Sequence, residues 1–239
     1  MNAVDLTFPT AEENLACDEA LLDLCEESGG LEILRFWEPR QHFVVLGYSN
    51  RYREEANLSA CQERGVPILR RCSGGGTVLQ GPGCLNFALL LKIQASGPLQ
   101  NISAANRFIL DRHRQTLQQL LGNPVSLQGA TDLTLDGLKF SGNSQRRRRH
   151  WLLFHGTFLL NLNIPLMQDF LPLPHRQPVY RWNRPHDQFV TNLPLEVPRL
   201  KQALCQTWDA SDPCFSVPLD RIGELVTTRY SKQEWNFRY

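Results

Sequence analysis

A chain of 239 residues with 42% hydrophobic and 21% charged side chains is long enough to bury one sizeable core. Its net charge of +1 argues against a surface built throughout for nucleic acid, which relies on a broad excess of Lys and Arg. No run approaches the roughly 18 apolar residues of a membrane span, and the start Met1-Asn2-Ala3-Val4-Asp5 lacks the basic and apolar regions of a signal peptide. The 7 cysteines (17, 25, 61, 72, 84, 205 and 214) hold neither a CxxC pair nor the Cys/His spacing of a zinc site. The expectation is a cytoplasmic protein with reduced thiols, no metal held by its own side chains, no nucleic-acid or membrane partner, and a single domain over 1–239.

Thr10-Ala11-Glu12-Glu13 has the form of a capping box and opens a helix predicted over 11–27. Two short apolar runs, 31–37 and 42–47, are separated by the turn-forming Glu38-Pro39-Arg40-Gln41 and predict a hairpin. A polar helix is expected over 53–64, stopped by Gly65, followed by a strand at 66–70. The continuously apolar 84–93 predicts a strand central in its sheet. A long amphipathic helix over 102–121, closed by Gly122-Asn123-Pro124, comes next. Strands are expected near 124–128, 131–135, 138–142 and 151–161, and helices near 196–209 and 218–230 after a Pro-rich stretch. The connections are too short for βαβ crossovers throughout, so the class is α/β with a mixed, mostly antiparallel sheet flanked by helices.

The stretch Arg70-Arg71-Cys72-Ser73-Gly74-Gly75-Gly76-Thr77-Val78-Leu79 predicts an anion cradle. Three glycines let backbone amides approach one bound group, and paired guanidiniums can neutralise a carboxylate or phosphate. Arg70 and Arg71 alternate faces, so one can line a pocket while the other braces the loop. The pattern is neither a Walker A loop nor a dinucleotide fingerprint; a plain tight turn is the competing reading. Lys139, in Gly137-Leu138-Lys139-Phe140-Ser141-Gly142-Asn143, is either an exposed edge-strand lysine or the cation that completes the cradle. Asp132 reads as a surface carboxylate or as the group that orients Lys139 from a neighbouring strand. Arg146-Arg147-Arg148-Arg149 predicts a solvated hairpin tip, or a landing site for phosphate or an acidic partner. His155, before Gly156-Thr157, reads as a core histidine or a catalytic one. Cys72 and Cys84 bracket the loop and read as acyl-thioester nucleophiles or as small buried hydrophobes.

Together these blocks resemble the lipoate-protein ligase A family, within the biotin/lipoate A/B protein ligase superfamily. The likeness runs from Asn14-Leu15-Ala16-Cys17-Asp18-Glu19 through Leu34-Arg35-Phe36-Trp37, the glycine loop with Leu85-Asn86-Phe87, and Lys139 to Arg146, to His155-Gly156-Thr157-Phe158. The resemblance implies a catalytic core like that of class II aminoacyl-tRNA and biotin synthetases. It implies that Arg71 and the Gly76-Thr77-Val78-Leu79 backbone contact ATP or lipoyl-AMP, with Arg70, Ser73, Gly74 and Gly75 in the same loop. Lys139 would touch nucleotide and lipoyl carbonyl, with Asp132, Ser141, Gly142, His155 and Gly156 nearby. The implied reaction joins lipoate or octanoate to AMP, with Mg²⁺ accompanying ATP. It then transfers the acyl group to a lysine of a lipoyl carrier domain, of the dehydrogenase E2 or glycine-cleavage H protein type.

Three departures from the family pattern accompany the resemblance. Gln80-Gly81-Pro82-Gly83-Cys84 stands where such ligases often carry His-Asp-x-Gly-Asn. No C-terminal accessory domain is expected after Trp235-Asn236, which leaves room for a separate accessory subunit. The two places where octanoyltransferases of the superfamily carry their cysteine nucleophile read Ala130-Thr131-Asp132-Leu133 and Leu171-Pro172-Leu173-Pro174-His175, both without cysteine. A carrier-to-carrier acyltransferase that needs no ATP, and a non-catalytic lipoate-binding or carrier-docking module, are the rival readings.

Overall fold

Thr10 opens α1 (Ala11–Ser28) in the computed structural model, which describes residues 1–30, 32–211 and 215–239. Its hydroxyl accepts from the Glu13 amide at 3.2 Å while the Glu13 carboxylate reaches back to the Thr10 amide at 3.0 Å, as the T-x-x-E spacing predicts. Gly29 ends the helix in the left-handed region, with φ 65°. Leu31, the first residue of an expected strand, and the Cys214 thiol lie outside the described residues.

Strand β1 (Asn2–Asp5) precedes α1, and β2 (Ile33–Trp37), β3 (Phe43–Leu46), α2 (Tyr52–Glu55), α3 (Leu58–Glu63), β4 (Ile68–Arg70), β5 (Val78–Gln80) and β6 (Cys84–Lys92) follow it. Helix α4 (Ile102–Leu121) leads to β7 (Val125–Gln128), β8 (Asp132–Leu135), β9 (Leu138–Arg147) and β10 (Trp151–Leu159). The rest is α5 (Leu166–Phe170), a 3-10 turn Val179–Arg181, α6 (His186–Phe189), α7 (Val197–Thr207), α8 (Leu219–Leu225) running into a π turn, and α9 (Gln233–Asn236). A seven-stranded sheet has the order β1-β2-β6-β10-β9-β8-β7, and a three-stranded sheet the order β4-β3-β5. The β1/β2 and β3/β4 pairs are parallel and the others antiparallel. The expected mixed, mostly antiparallel sheet is therefore what the chain forms.

Successive residues of β2 enter opposite cores, as the pleat requires. Ile33 joins Leu15, Leu21, Leu90, Leu153 and Ile222 beneath α1 and α8, while Leu34 joins Leu89, Phe154, Ile109, Leu117, Leu200 and Leu204 beneath α4 and α7. All of β6 except Lys92 is buried, which is why its sequence shows no polar alternation.

The predicted hairpin of 31–37 and 42–47 does not form. Every residue of β2 and of β3 is buried, and a two-stranded hairpin cannot cover both faces of both strands. The two runs instead enter different sheets. The expected helix 53–64 is broken by extended Ala56 (φ −137°, ψ 143°), and Asn57 caps a second helix through its side chain at the Ala60 amide. Strands β1 and β5 were not anticipated. The strand expected at 138–142 continues to Arg147, so the basic run is not simply a wet tip. Arg147 donates to the Leu99 and Gln100 carbonyls, and Arg148 pairs with Asp23 of α1 at 2.7 Å.

One irregularity positions the site. Leu133 pairs with Ser141 but Thr134 pairs with Lys139, so the β8/β9 register shifts by one residue. Lys139 and Gly142, an odd number of residues apart, would otherwise face opposite sides of the sheet; the shift brings both to the same cleft.

Candidate functional site

The glycine loop leaves β4 and crosses the exit of β3. Only its middle glycine needs a left-handed backbone, Gly75 with φ 90°. A Cβ on Gly47 would lie 2.1 Å from the Gly75 carbonyl oxygen, so both glycines are required for the crossing. Arg71 holds the loop from within. Its Nη2 donates to the carbonyls of Gly74 (2.6 Å) and Gly76 (2.8 Å), and its Nε to Ser73 Oγ (3.1 Å). Burial lowers its pKa to about 10, which leaves it charged at neutral pH. Arg70 points the other way. Its side chain donates to the carbonyls of Gly47, Tyr48, Asn50, Trp235 and Asn236, so it braces the loop from behind and does not line the cleft. Its expected nucleotide contact is corrected accordingly.

Lys139 extends across the face of Gly142, where a Cβ would meet its Cε and Nζ at 2.9 Å. Its Nζ lies 2.7 Å from Asp132 Oδ1, the neighbouring-strand partner expected for it. Tyr180, which sequence reasoning missed, donates its hydroxyl to the other oxygen, Oδ2, at 2.8 Å. Burial first, and then the Asp132 charge, push the Tyr180 hydroxyl pKa up, so it stays a proton donor. Tyr180 sits in a strap, residues 171–190, that crosses beside Lys139; the Thr191 amide donates to the Lys139 carbonyl at 2.9 Å.

Ser73, His155 and Asp18 form a chain: Ser73 Oγ to His155 Nε2 at 2.6 Å, and His155 Nδ1 to Asp18 Oδ2 at 3.1 Å. Ser73 Oγ already accepts from Arg71, so the network assigns its proton to Nε2 and the imidazole proton to Nδ1. The order resembles a hydrolytic triad, but Ser73 is 0% exposed and lies behind the cleft wall. The chain acts as a strut between the glycine loop, β10 and α1. Burial works to raise the Asp18 pKa, yet the Arg35 guanidinium and then His155 hold it below the ordinary carboxylate range. Asp18 carried a legible signal, since Asn14 and Asp18 stand on the helix face that buries Leu15 and Leu22.

Gln80, Asn86 and Thr157 close a ring of hydrogen bonds: Gln80 Nε2 to Thr157 Oγ1 (2.6 Å), Thr157 Oγ1 to Asn86 Oδ1 (2.5 Å) and Asn86 Nδ2 to Gln80 Oε1 (3.0 Å). This ring occupies the place where the family pattern departs. Cys72 and Cys84 are buried; desolvation pushes the Cys84 pKa up to about 12 and the Cys72 pKa still further, the opposite of an activated thiolate.

These pieces line one cleft of about 320 Å³. It runs over the sheet from Trp37 on β2, past Phe87 on β6 and His155, Gly156 and Thr157 on β10, to Lys139 and Gly142 on β9 and Asp132 on β8. Four strand spacings make this roughly 19 Å. Leu15, Trp37, Val45 and Phe87 make the first end apolar, while Lys139, Arg176 and Arg181 make the other cationic. Arg71, Gly75, Gly76, Thr77 and Val78 form the wall, with Leu79 and Ser141 in an adjoining cavity. Gly74 lies outside the lining, as Arg70 and Ser73 do. Among the described residues no group of three His, Cys, Asp or Glu side chains is arranged to hold a metal, and no helix is long and apolar enough to cross a membrane.

The family model for the lipoyl protein ligase A/B catalytic domain matches residues 10–207. A probable lipoate-protein ligase A of Mycoplasma pneumoniae is 25% identical over 234 residues, 94% of this chain and 67% of the relative. An octanoyltransferase LipM of Brevibacillus brevis is 26% identical over 263 residues, 94% of each chain. In fold, the chain is similar to the bi-partite lipoate protein ligase solved from Thermoplasma acidophilum, with TM-score 0.84 and 22% identity over 99% of this chain and 95% of that one. The match of the family model spans α1, the glycine loop, Lys139 and the strap that together build the cleft, and the chain belongs to the lipoyl protein ligase A/B catalytic-domain family.

Proposed function

We propose that this protein activates lipoate, or octanoate, with ATP and passes the acyl group to a lysine of a lipoyl carrier domain, working as one catalytic domain. The observation that carries the reading is the polarity of this cleft: an apolar end for the acyl chain, and an ammonium facing a glycine loop where carboxylate and phosphate would meet. In the first step a carboxylate oxygen attacks the α-phosphorus of ATP and pyrophosphate leaves. In the second the neutral amine of the acceptor lysine attacks the acyl carbon, AMP leaves as the amide forms, and the amine proton passes to solvent. Lys139 neutralises charge at the bridging phosphate and carbonyl oxygen, and Asp132, fixed by Tyr180, holds it there. Mg²⁺ would come with the triphosphate as the ion of the co-substrate, and when bound it would offset phosphate charge; both oxygens of Asp132 are already taken, by Lys139 and Tyr180.

The test reads the mass of an apo lipoyl domain incubated with lipoate and MgATP, with lipoyl-AMP, or with an octanoyl-carrier thioester. Acyl gain from lipoyl-AMP and from lipoate with MgATP is expected, and gain from the thioester alone would overturn the ligase reading. Transfer from lipoyl-AMP but not from ATP would assign activation to an accessory subunit. The rival transferase reading, favoured by the LipM relative, needs an acyl-enzyme. Alanine at Cys72 and Cys84 is expected to leave transfer unchanged, given their burial.

Tyr180→Phe removes only the hydroxyl that fixes Asp132. The expected result is a fall of roughly 10-fold in kcat for acyl transfer, from a hydrogen bond to a charged group, with the KM for the carrier little changed; steady-state kinetics with supplied lipoyl-AMP check it.

A further inference from the structure

The strap that closes the cationic end of the cleft also turns apolar side chains to water. Val179 is 90% exposed, Trp182 79% and Leu173 49%, whereas the other large exposed hydrophobics of the described residues (Ile102, Leu219, Phe237 and Tyr239) are spread over the chain. Looseness does not explain these three. The strap is tied to the sheet by Tyr180 at Asp132 and by Arg184 Nη2 at the Gly137 carbonyl, and to itself by Gln177 Nε2 at Asn183 Oδ1 (2.6 Å). Trp182 and Asn183 both sit in the left-handed region, with φ 54° and 56°. Asparagine tolerates that conformation; tryptophan does not favour it. Strained backbone here holds an indole out in water, an arrangement kept by use more readily than by stability.

The strap is also basic, with Arg176, Arg181 and Arg184 against Asp187. Pro174, Arg176, Pro178 and Arg181 line the cleft, so whatever rests on the outer side of the strap sits at the mouth of the cleft. A second copy of this chain would bring like charge to like charge in a two-fold contact. A lysine entering past this cationic rim is repelled unless its own surroundings are acidic.

We propose that the outer face of the strap, with Trp182 and Val179 at its centre and Arg176 and Arg184 at its rim, is where the acceptor docks: a folded carrier domain that presents its target lysine among acidic side chains. The assignment rests on the acyl-transfer reading above. Tryptophan is enriched among residues that dominate interfaces, and the basic rim gives attraction and orientation.

The test compares wild type with a Val179→Ser, Trp182→Asn double variant, using an apo E2 lipoyl domain as probe and supplied lipoyl-AMP as donor. Neither residue lines the cleft, and asparagine keeps the left-handed backbone, so the melting temperature should hold. The expected result is a carrier KM and a calorimetric Kd raised at least ~10-fold, the loss typical of a central tryptophan. The kcat at saturating carrier should stay within about two-fold, and wild-type affinity should weaken with added salt. An unchanged carrier KM and Kd in the double variant overturns the docking surface. If wild type binds the carrier but makes no acyl product, the activity reading falls, and the Kd comparison alone decides the docking. Wild type that ignores the carrier yet binds anionic phospholipid vesicles or itself through these residues also overturns the proposal.

Discussion

Lys139→Ala is expected to lower acyl transfer from lipoyl-AMP by roughly 10²–10³-fold, the usual consequence of deleting a group aimed at developing charge. The effect should fall on kcat, because the acyl chain still has its apolar wall of Leu15, Trp37 and Phe87. Stability should change little, since the pair faces the cleft with 26% of the lysine side chain exposed, and Asp132 keeps its hydrogen bond from Tyr180. Lys139→Arg should not rescue the reaction. The lysine stem lies flat over Gly142, where even a methyl group would sit 2.9 Å from Cε and Nζ, and a planar guanidinium has no room to turn there. Single-turnover measurement of acceptor mass checks both variants, and near wild-type transfer by Lys139→Ala would remove Lys139 from the reaction.

Arg35→Ala should be the most destabilising change near the site. Arg35 is 0% exposed and donates to the Asn14 carbonyl and side chain, the Leu6 carbonyl, and Asp18 at 2.5 Å. Removing it leaves a buried carboxylate with only His155 beside it, a loss of about 3–5 kcal/mol, or roughly 6–20 °C in melting temperature for a chain of this size. The acid response should change with it. The folded-state pKa of Asp18 is held below its ordinary value, so its contribution is complete above the unfolded value of about 3.9 and disappears as pH falls through the lower folded one. Without Arg35 the carboxyl titrates higher, and stability should depend less steeply on acidification. Melting curves between about pH 3 and 7 read this; a parallel acid limb in the variant would show that Asp18 owes nothing to Arg35.

Local signals in the sequence were reliable where one residue type does one job. The capping box at Thr10 and the glycine at 122 bounded α1 and α4, because both act within a single helical turn. The unbroken apolar run of β6 announced a strand covered on both faces. Pairing was not legible, because which strand accepts which depends on faces far apart in sequence. The runs at 33–37 and 43–46 looked like neighbours until each had to be buried on both sides. β5 was hidden because Val78-Leu79-Gln80 read as the end of the glycine loop. In the site, Lys139 with Asp132 was anticipated, since two strands joined by a short turn must lie side by side. The pleat already divided the arginines into one that lines and one that braces, but which was which depended on the distant partners of Arg70, carbonyls some 165 residues away. Tyr180 had no local signal; a tyrosine between prolines and arginines becomes informative once the strap is seen crossing Lys139.

The grip of Arg70 on the Trp235 and Asn236 carbonyls has a bearing on how the protein is made. Its backbone amide also donates to Asn236 Oδ1 at 2.9 Å, and the Trp235 indole returns a bond to the Arg70 carbonyl at 2.9 Å, across sequence separations of 166 and 165 residues. Contacts of such long range are costly to close and form late. On the ribosome, the segment bearing the glycines is synthesised some 165 residues before Trp235 and Asn236, and waits for them to emerge before its rear support exists. A nascent chain stalled short of Trp235 would carry the cradle without the brace that sets its shape.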